Sequence, residues 1–203
     1  MDTNTETDTG LSPEFIQEFV IAAHGDFPKV REMLAQEPDL LNAKWAQVDE
    51  NGLEASGHMG RADIANFFLD SGAPLTIFAA AMLGRTEDVQ AFIQENPALA
   101  SANGVHGISI LYHAAHSGKT EVVDLLVANG GGQEAGHALH AAVEHGHADM
   151  VERLLALGGD PNAKDFRGKT TLDVALDKGY TEIAEMLRVH GGVGSPPKAA
   201  EGA

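Results

Sequence analysis

Hydrophobic positions along the chain fall into paired runs, and the pairs recur. A short stretch rich in Ala, Val, Leu or Ile is closed by a glycine. A second stretch follows, its apolar residues returning every three or four positions. The copies lie at 20–34, 56–69, 79–93, 113–126, 141–155 and 174–187. Their pivots are Gly25, Gly60, Gly84, Gly118, Gly146 and Gly179, spaced by 35, 24, 34, 28 and 33 residues. Val122, Val123, Leu125 and Leu126, or Met150, Val151, Leu154 and Leu155, carry the helical period. The pattern predicts six pairs of short helices.

Each half of the unit has a local reason. The first run is rich in Ala, which lets a neighbouring helix approach closely. Its closing glycine suits the left-handed position that ends a helix without a Cβ penalty. The second run opens with acids, as in Thr86-Glu87-Asp88, Thr120-Glu121 and Thr181-Glu182, at the positive end of the helix dipole. Ser12-Pro13-Glu14 reads as the first helix start, a capping hydroxyl followed by proline and an acid. One such hairpin cannot bury both its faces, whereas a stack can.

The unit resembles the ankyrin repeat. The fifth copy carries the likeness furthest, with Leu139-His140-Ala141-Ala142 running to Gly146-His147, then Gly158-Gly159-Asp160-Pro161-Asn162-Ala163. Gly168-Lys169-Thr170-Thr171-Leu172-Asp173 and Gly107-Ile108-Ser109-Ile110-Leu111-Tyr112 are similar to the same signature with departures. The stretches His58–Ala65 and Ile77–Gly84 look like those of small, stand-alone bacterial ankyrin proteins. The resemblance implies an all-α solenoid of about six helix-turn-helix repeats over 13–192, with an acidic, disordered segment at 1–12 and a flexible tail at 193–203. Against the family period of 33 residues, two steps are short by the residues that form a projecting β-hairpin. Fingers are therefore expected only at 41–52, 99–109 and 159–170. Gly72-Ala73-Pro74-Leu75 should be a tight link, and Gly130 to Gly136 a flexible loop.

Composition narrows the function. The chain has 203 residues with 30 acidic and 13 basic side chains, a formal net charge of −17. Such a chain does not suit the phosphate backbone of nucleic acid, which rewards clustered Lys and Arg. No apolar run approaches the roughly 20 residues of a membrane span. Cysteine is absent, which removes disulfides, thiolate metal sites and Cys nucleophiles. No nucleophile elbow, metalloprotease helix, P-loop or dinucleotide glycine pattern occurs. The expectation is a cytoplasmic, non-catalytic protein without a cofactor, monomeric alone, that binds another protein.

Candidate binding residues follow from the resemblance. In an ankyrin stack the two residues before each pivot line the concave surface. Here they are Ala23-His24, His58-Met59, Met82-Leu83, His116-Ser117, Glu144-His145 and Asp177-Lys178. Met59, Met82 and Leu83 would be partly exposed there, flanked by His116 and His145, and apolar side chains in a groove suit protein binding. His106, the lone tryptophan Trp45, Phe166 and Arg167 lie in the fingers, where aromatic and Arg side chains serve as interface anchors. Two alternatives stand beside this. One is a metal-binding or hydrolytic site in the fifth repeat, where His137, His140, His145 and His147 cluster in sequence. Those four point in different directions along a helix pair, and the resemblance gives His140 a structural hydrogen bond to a turn. The other alternative is a self-associating or complex-assembly subunit.

Overall fold

The computed structural model describes residues 10–165 and 167–195. Phe166 and most of both terminal segments expected from the sequence lie outside the described residues. Among the described residues twelve α-helices form six pairs: α1 (Pro13–Ala23) with α2 (Phe27–Gln36), α3 (Gly52–His58) with α4 (Ala62–Asp70), α5 (Ile77–Met82) with α6 (Thr86–Glu95), α7 (Ile110–Ser117) with α8 (Thr120–Ala128), α9 (Ala135–His145) with α10 (Ala148–Ala156), and α11 (Thr171–Lys178) with α12 (Thr181–Val189). The first helix of each pair packs on the first helix of the next, α5 on α7 and α7 on α9 most extensively.

Helix starts are chemically marked. Ser12, Asn51, Thr76, Ser109 and Thr170 each accept a backbone N–H at the head of α1, α3, α5, α7 and α11. Asn51 with Glu54 and Thr170 with Asp173 form reciprocal capping boxes. From α4 onwards the second helices lack such a side-chain cap and carry Asp63, Glu87, Asp88, Glu121, Asp149 or Glu182 in the first turn.

Five of the six pivot glycines are left-handed, with φ from 65° to 73°. Gly25 is not; there α1 closes through His24 at φ −68°, and Asp26 caps α2. The pivots have a second role that periodicity does not disclose. A Cβ on Gly118 would fall 2.8 Å from the ring of His147, the residue that opens the second helix of the following pair. His147 Nε2 there bonds the carbonyl of His116 at 3.0 Å. The missing side chain is thus a seat for the neighbouring repeat.

The expected fingers are present. The first is a two-stranded hairpin, β1 (Lys44–Trp45) with β2 (Glu50–Asn51), Lys44 opposite Asn51 and Trp45 opposite Glu50. The others close with single antiparallel bridges, Asn103 to Ser109 and Lys164 to Thr170. The 71–76 link has no finger. The loop expected at 130–136 is shorter, because Ala135 and Gly136 already belong to α9. Contacts continue past 192: the Val193 N–H donates to Asn162 Oδ1 at 2.8 Å, and the Ser195 N–H to Asp173 Oδ1 at 2.7 Å.

Two buried groups meet at α5. Phe19, Leu40, Ile64, Phe68 and Met82 belong to the first; Ile110, Leu126, Leu139, Met150, Leu154 and Leu187 to the second. Because α5 has only six residues and the link before it is fingerless, α3 reaches past α5 and touches α7 directly. Gly60, at the turn after α3, lies against the rings of His116 and His145. The solenoid is therefore curled on its concave side.

Candidate functional site

Of the pre-pivot residues, His58, Met59, His116, Glu144, His145 and Lys178 line one cavity, and several histidine rings come together. His24 and His58 are 5.0 Å apart at the ring centroids, and His58 and His106 are 5.6 Å apart. His116 lies 4.8 Å from Tyr112 and 4.9 Å from His145. His106 enters this row from the second finger, in a turn where its own φ is 59°.

The expected exposure holds only in part. Met59 is 46 % exposed. His145 and Arg167 are exposed, the latter paired with Asp165 at 3.0 Å. Met82 is a correction: it is 2 % exposed, because the short α5 presses it into the first buried group. Leu83 packs half-buried on the same group. Trp45 also folds onto it rather than standing at a tip, with its indole N–H buried and unbonded. His116 is buried at 9 % exposure. Phe166 lies outside the described residues.

Between α3, α7, α9 and the third finger lies a cavity of about 600 Å³. Met59, Tyr112, His116 and His145 form one part of its wall, and Glu144, Lys178 and Arg167 are among the other lining residues. Glu144 and Lys178 are paired at 2.9 Å. The floor is unusual. Neither ring nitrogen of His116 completes a hydrogen bond. The His58 carbonyl nearby favours a proton on it, but burial, with His145 and His113 alongside, outweighs this and holds His116 at about 3.

The fifth-repeat histidines do not converge. His140 Nε2 bonds the carbonyl of Ala163 at 2.7 Å, in the finger turn, and His147 is occupied across the repeat boundary. His137 is exposed. A tighter cluster lies elsewhere. His24 Nε2, His58 Nδ1 and His106 Nε2 stand 3.8, 3.2 and 3.5 Å from the carboxylate of Glu50, which is 1 % exposed. Burial, then the neighbouring His24, His113 and His106, lower His58 to about 3, against the opposing hydrogen bond of the Glu54 carbonyl.

His113 supplies a pH-dependent term. It is 4 % exposed, its Nδ1 donates to the Ser109 carbonyl at 3.0 Å, and burial lowers it to about 4. Its folded value lies below the unfolded 6.5, so the unfolded chain takes up the proton first. The stabilisation is complete above pH 6.5 and is lost as pH falls toward 4. From pH 7 to pH 5 the loss attributable to His113 is about 2 kcal/mol. Urea denaturation at the two pH values, with His113→Gln alongside, checks it. The variant should show a smaller acid loss; an equal loss would remove His113 as its source.

Stacked helix pairs, seat glycines at Gly60, Gly84, Gly118 and Gly146, and short fingers define a helical repeat solenoid. The family model for ankyrin repeats (3 copies) matches residues 77–165 and 131–194. The chain belongs to the ankyrin repeat family. It is 25 % identical over 187 residues to a putative ankyrin repeat-containing protein of Treponema pallidum (strain Nichols), covering 89 % of this chain and 54 % of that one. It is 32 % identical over 110 residues to protein phosphatase 1 regulatory subunit 27 of Homo sapiens, covering 52 % of this chain and 71 % of that one. It is 40 % identical over 62 residues to cyclin-dependent kinase 4 inhibitor B of Rattus norvegicus, covering 30 % of this chain and 45 % of that one. The chain thus spans about half the length of the Treponema protein. No helix of the described residues is long and apolar enough to cross a membrane.

Proposed function

We propose that this protein is a non-catalytic interaction module of the cytoplasm that binds a partner protein in the concave cavity between α3, α9 and the third finger. The observation that carries this reading is the exposed Met59 on the rim of a cavity of about 600 Å³, beside His145 and Arg167. An apolar side chain among paired charges offers a central anchor with a polar rim. The stacked repeats hold these groups in place before contact, so docking orders little of this chain. Two relatives carry the names of an inhibitor and a regulatory subunit, which agrees with a binding role. The net charge of −17 favours a partner with a basic or mixed face and acts mainly on the encounter rate. Met82 is buried and Leu83 half-buried, so binding concentrates on Met59, His145 and Arg167 rather than on those two.

The test is affinity capture from the native cell with the wild type, a Met59→Asp/His145→Asp variant, and a Val189→Asp control at the 75 %-exposed end of α12. A specific partner should be retained by the control and weakened at least about tenfold by the groove variant, the effect of losing one anchor. Equal recovery by all three would overturn the assignment to this cavity.

A further inference from the structure

We propose that His24, Glu50, His58 and His106 bind one divalent transition-metal ion of the zinc type. The four come from distant parts of the chain: the end of α1, the strand β2, the end of α3 and the Val105–Gly107 turn. One ligand atom each of His24, Glu50 and His58 lies within 4.8 Å of the others. The three nitrogens stand 3.2 to 3.8 Å from Glu50 oxygens. Ligands on a tetrahedral ion, with bonds of about 2.1 Å, are about 3.4 Å apart.

The hydrogen bonding separates an ion site from ordinary histidine–carboxylate pairing. Glu50 Oε1 accepts no hydrogen bond, although His58 Nδ1 and His106 Nε2 are beside it. Those nitrogens are near the oxygen without being aimed at it as donors. His24 is still more specific. Its Nδ1 lies 2.9 Å from the carbonyl of Val20, which can only accept, so Nδ1 carries the proton. In the neutral ring Nε2 then presents a lone pair, 3.8 Å from Glu50 Oε2. A cation seated between Nε2 and the carboxylate would be attracted to both. An imidazole tied through its other nitrogen to a carbonyl is also the usual orientation of a metal-ligating histidine.

The surroundings agree. The ion-pair partners of Glu50 among the described residues are these three histidines. Lys44 turns instead to Asp49 and Glu54. A buried carboxylate without a fixed cation is unfavourable. His106 occupies left-handed backbone, a conformation that a non-glycine residue keeps only when its surroundings hold it there. Its side chain is 42 % exposed, which leaves an entry path for the ion. Three imidazoles and one carboxylate select zinc, cobalt or nickel over calcium or magnesium, which take all-oxygen sites. An ion held here would tie the first pair, the second pair and the finger before α7 together, and so fix the curl that α3 makes across α5.

The experiment uses the full chain with any affinity tag removed, stripped with chelator and dialysed. Cobalt(II) is titrated with visible absorption as readout, zinc(II) with calorimetry. One ion per chain, the intense band of four-coordinate cobalt and a raised melting temperature are expected. Glu50→Gln should abolish the band, and His106→Gln should weaken zinc binding at least about tenfold. Circular dichroism checks that both are folded. Should Glu50→Gln fail to fold, His106→Gln decides alone, since its side chain is half outside the core. A His137→Gln/His145→Gln variant should bind as the wild type does. Wild-type binding no tighter than that of His106→Gln, or loss in the fifth-repeat variant instead, would overturn the site. Neither result bears on the partner cavity, which the Met59 and His145 variants test separately.

Discussion

Phe68→Ala is expected to destabilise the first two helix pairs by about 3–5 kcal/mol, the usual cost of removing a buried aromatic ring. Phe68 is fully buried and meets Phe19 edge to face, with ring centroids 5.7 Å apart at 76°. Relaxation into the gap is limited. Gly52 is packed so closely that a Cβ there would lie 2.6 Å from Phe68 Cζ, so this helix start is already as near as a backbone can come. The backbone around the ring is also committed, since the Phe68 carbonyl takes the Ala73 N–H at 3.0 Å. A repeat array is stabilised unit by unit and boundary by boundary, and the buried side chains here form two groups that meet around α5 and where α3 touches α7. The loss should therefore be local. Hydrogen exchange of the metal-stripped protein should show protection falling in α1–α4 while α7–α12 keep theirs. A uniform fall in both halves would mean that the two groups unfold as one.

The helix pairs were legible because each carries its own start and stop chemistry. Ser109 before α7, Thr170 before α11 and the pivot glycines all act within a few residues, and α7–α12 follow them closely. The three fingers were legible for a related reason: their presence or absence is a matter of chain length between pivots. The curl was not. It depends on the brevity of α5 and on the link at 71–76, which together place α3 against α7, and no local pattern encodes that contact. Its consequences went unseen with it. Met82 is covered, Trp45 turns inward and His116 becomes a cavity floor.

Glu50 shows the same limit more sharply. In sequence it is one acid of an Asp49-Glu50 pair within the finger at 41–52. The hairpin register places Glu50 opposite Trp45, and it is Glu50 that points inward while Asp49 stays exposed at φ 52°. The available signal was that consecutive repeats each place a histidine, His24 and His58, within the two residues before the pivot, with a finger acid between them. The fifth repeat drew attention through density along the chain. Density in sequence does not bring side chains to a common point, and His140 and His147 are there to hold turns.

Gly131→Ala is expected to destabilise the array by about 3 kcal/mol, at the upper end of what overpacking costs. Gly131 follows α8, and its N–H donates to the Leu126 carbonyl at 2.9 Å, closing that helix. A Cβ there would overlap the carbonyl oxygen of Ala100 and come within 2.9 Å of that of Leu126. Both obstacles are backbone. Ala100 is fully buried in the 3-10 turn Pro97–Ser101, so it can yield only if the third and fourth pairs separate. The corresponding turn after α4 has Ala73, bonded in the same way to Phe68, which shows that the motif itself accepts a Cβ. The demand for glycine at 131 comes from the neighbouring repeat. After α10, Gly159 is less constrained, with the nearest oxygens 2.9 and 3.2 Å from a Cβ. Chemical denaturation should rank Gly131→Ala below Gly159→Ala in stability, with Ala73→Gly changing stability by about 1 kcal/mol or less. Equal losses at 131 and 159 would show that the turn, and not the approach of Ala100, sets the requirement.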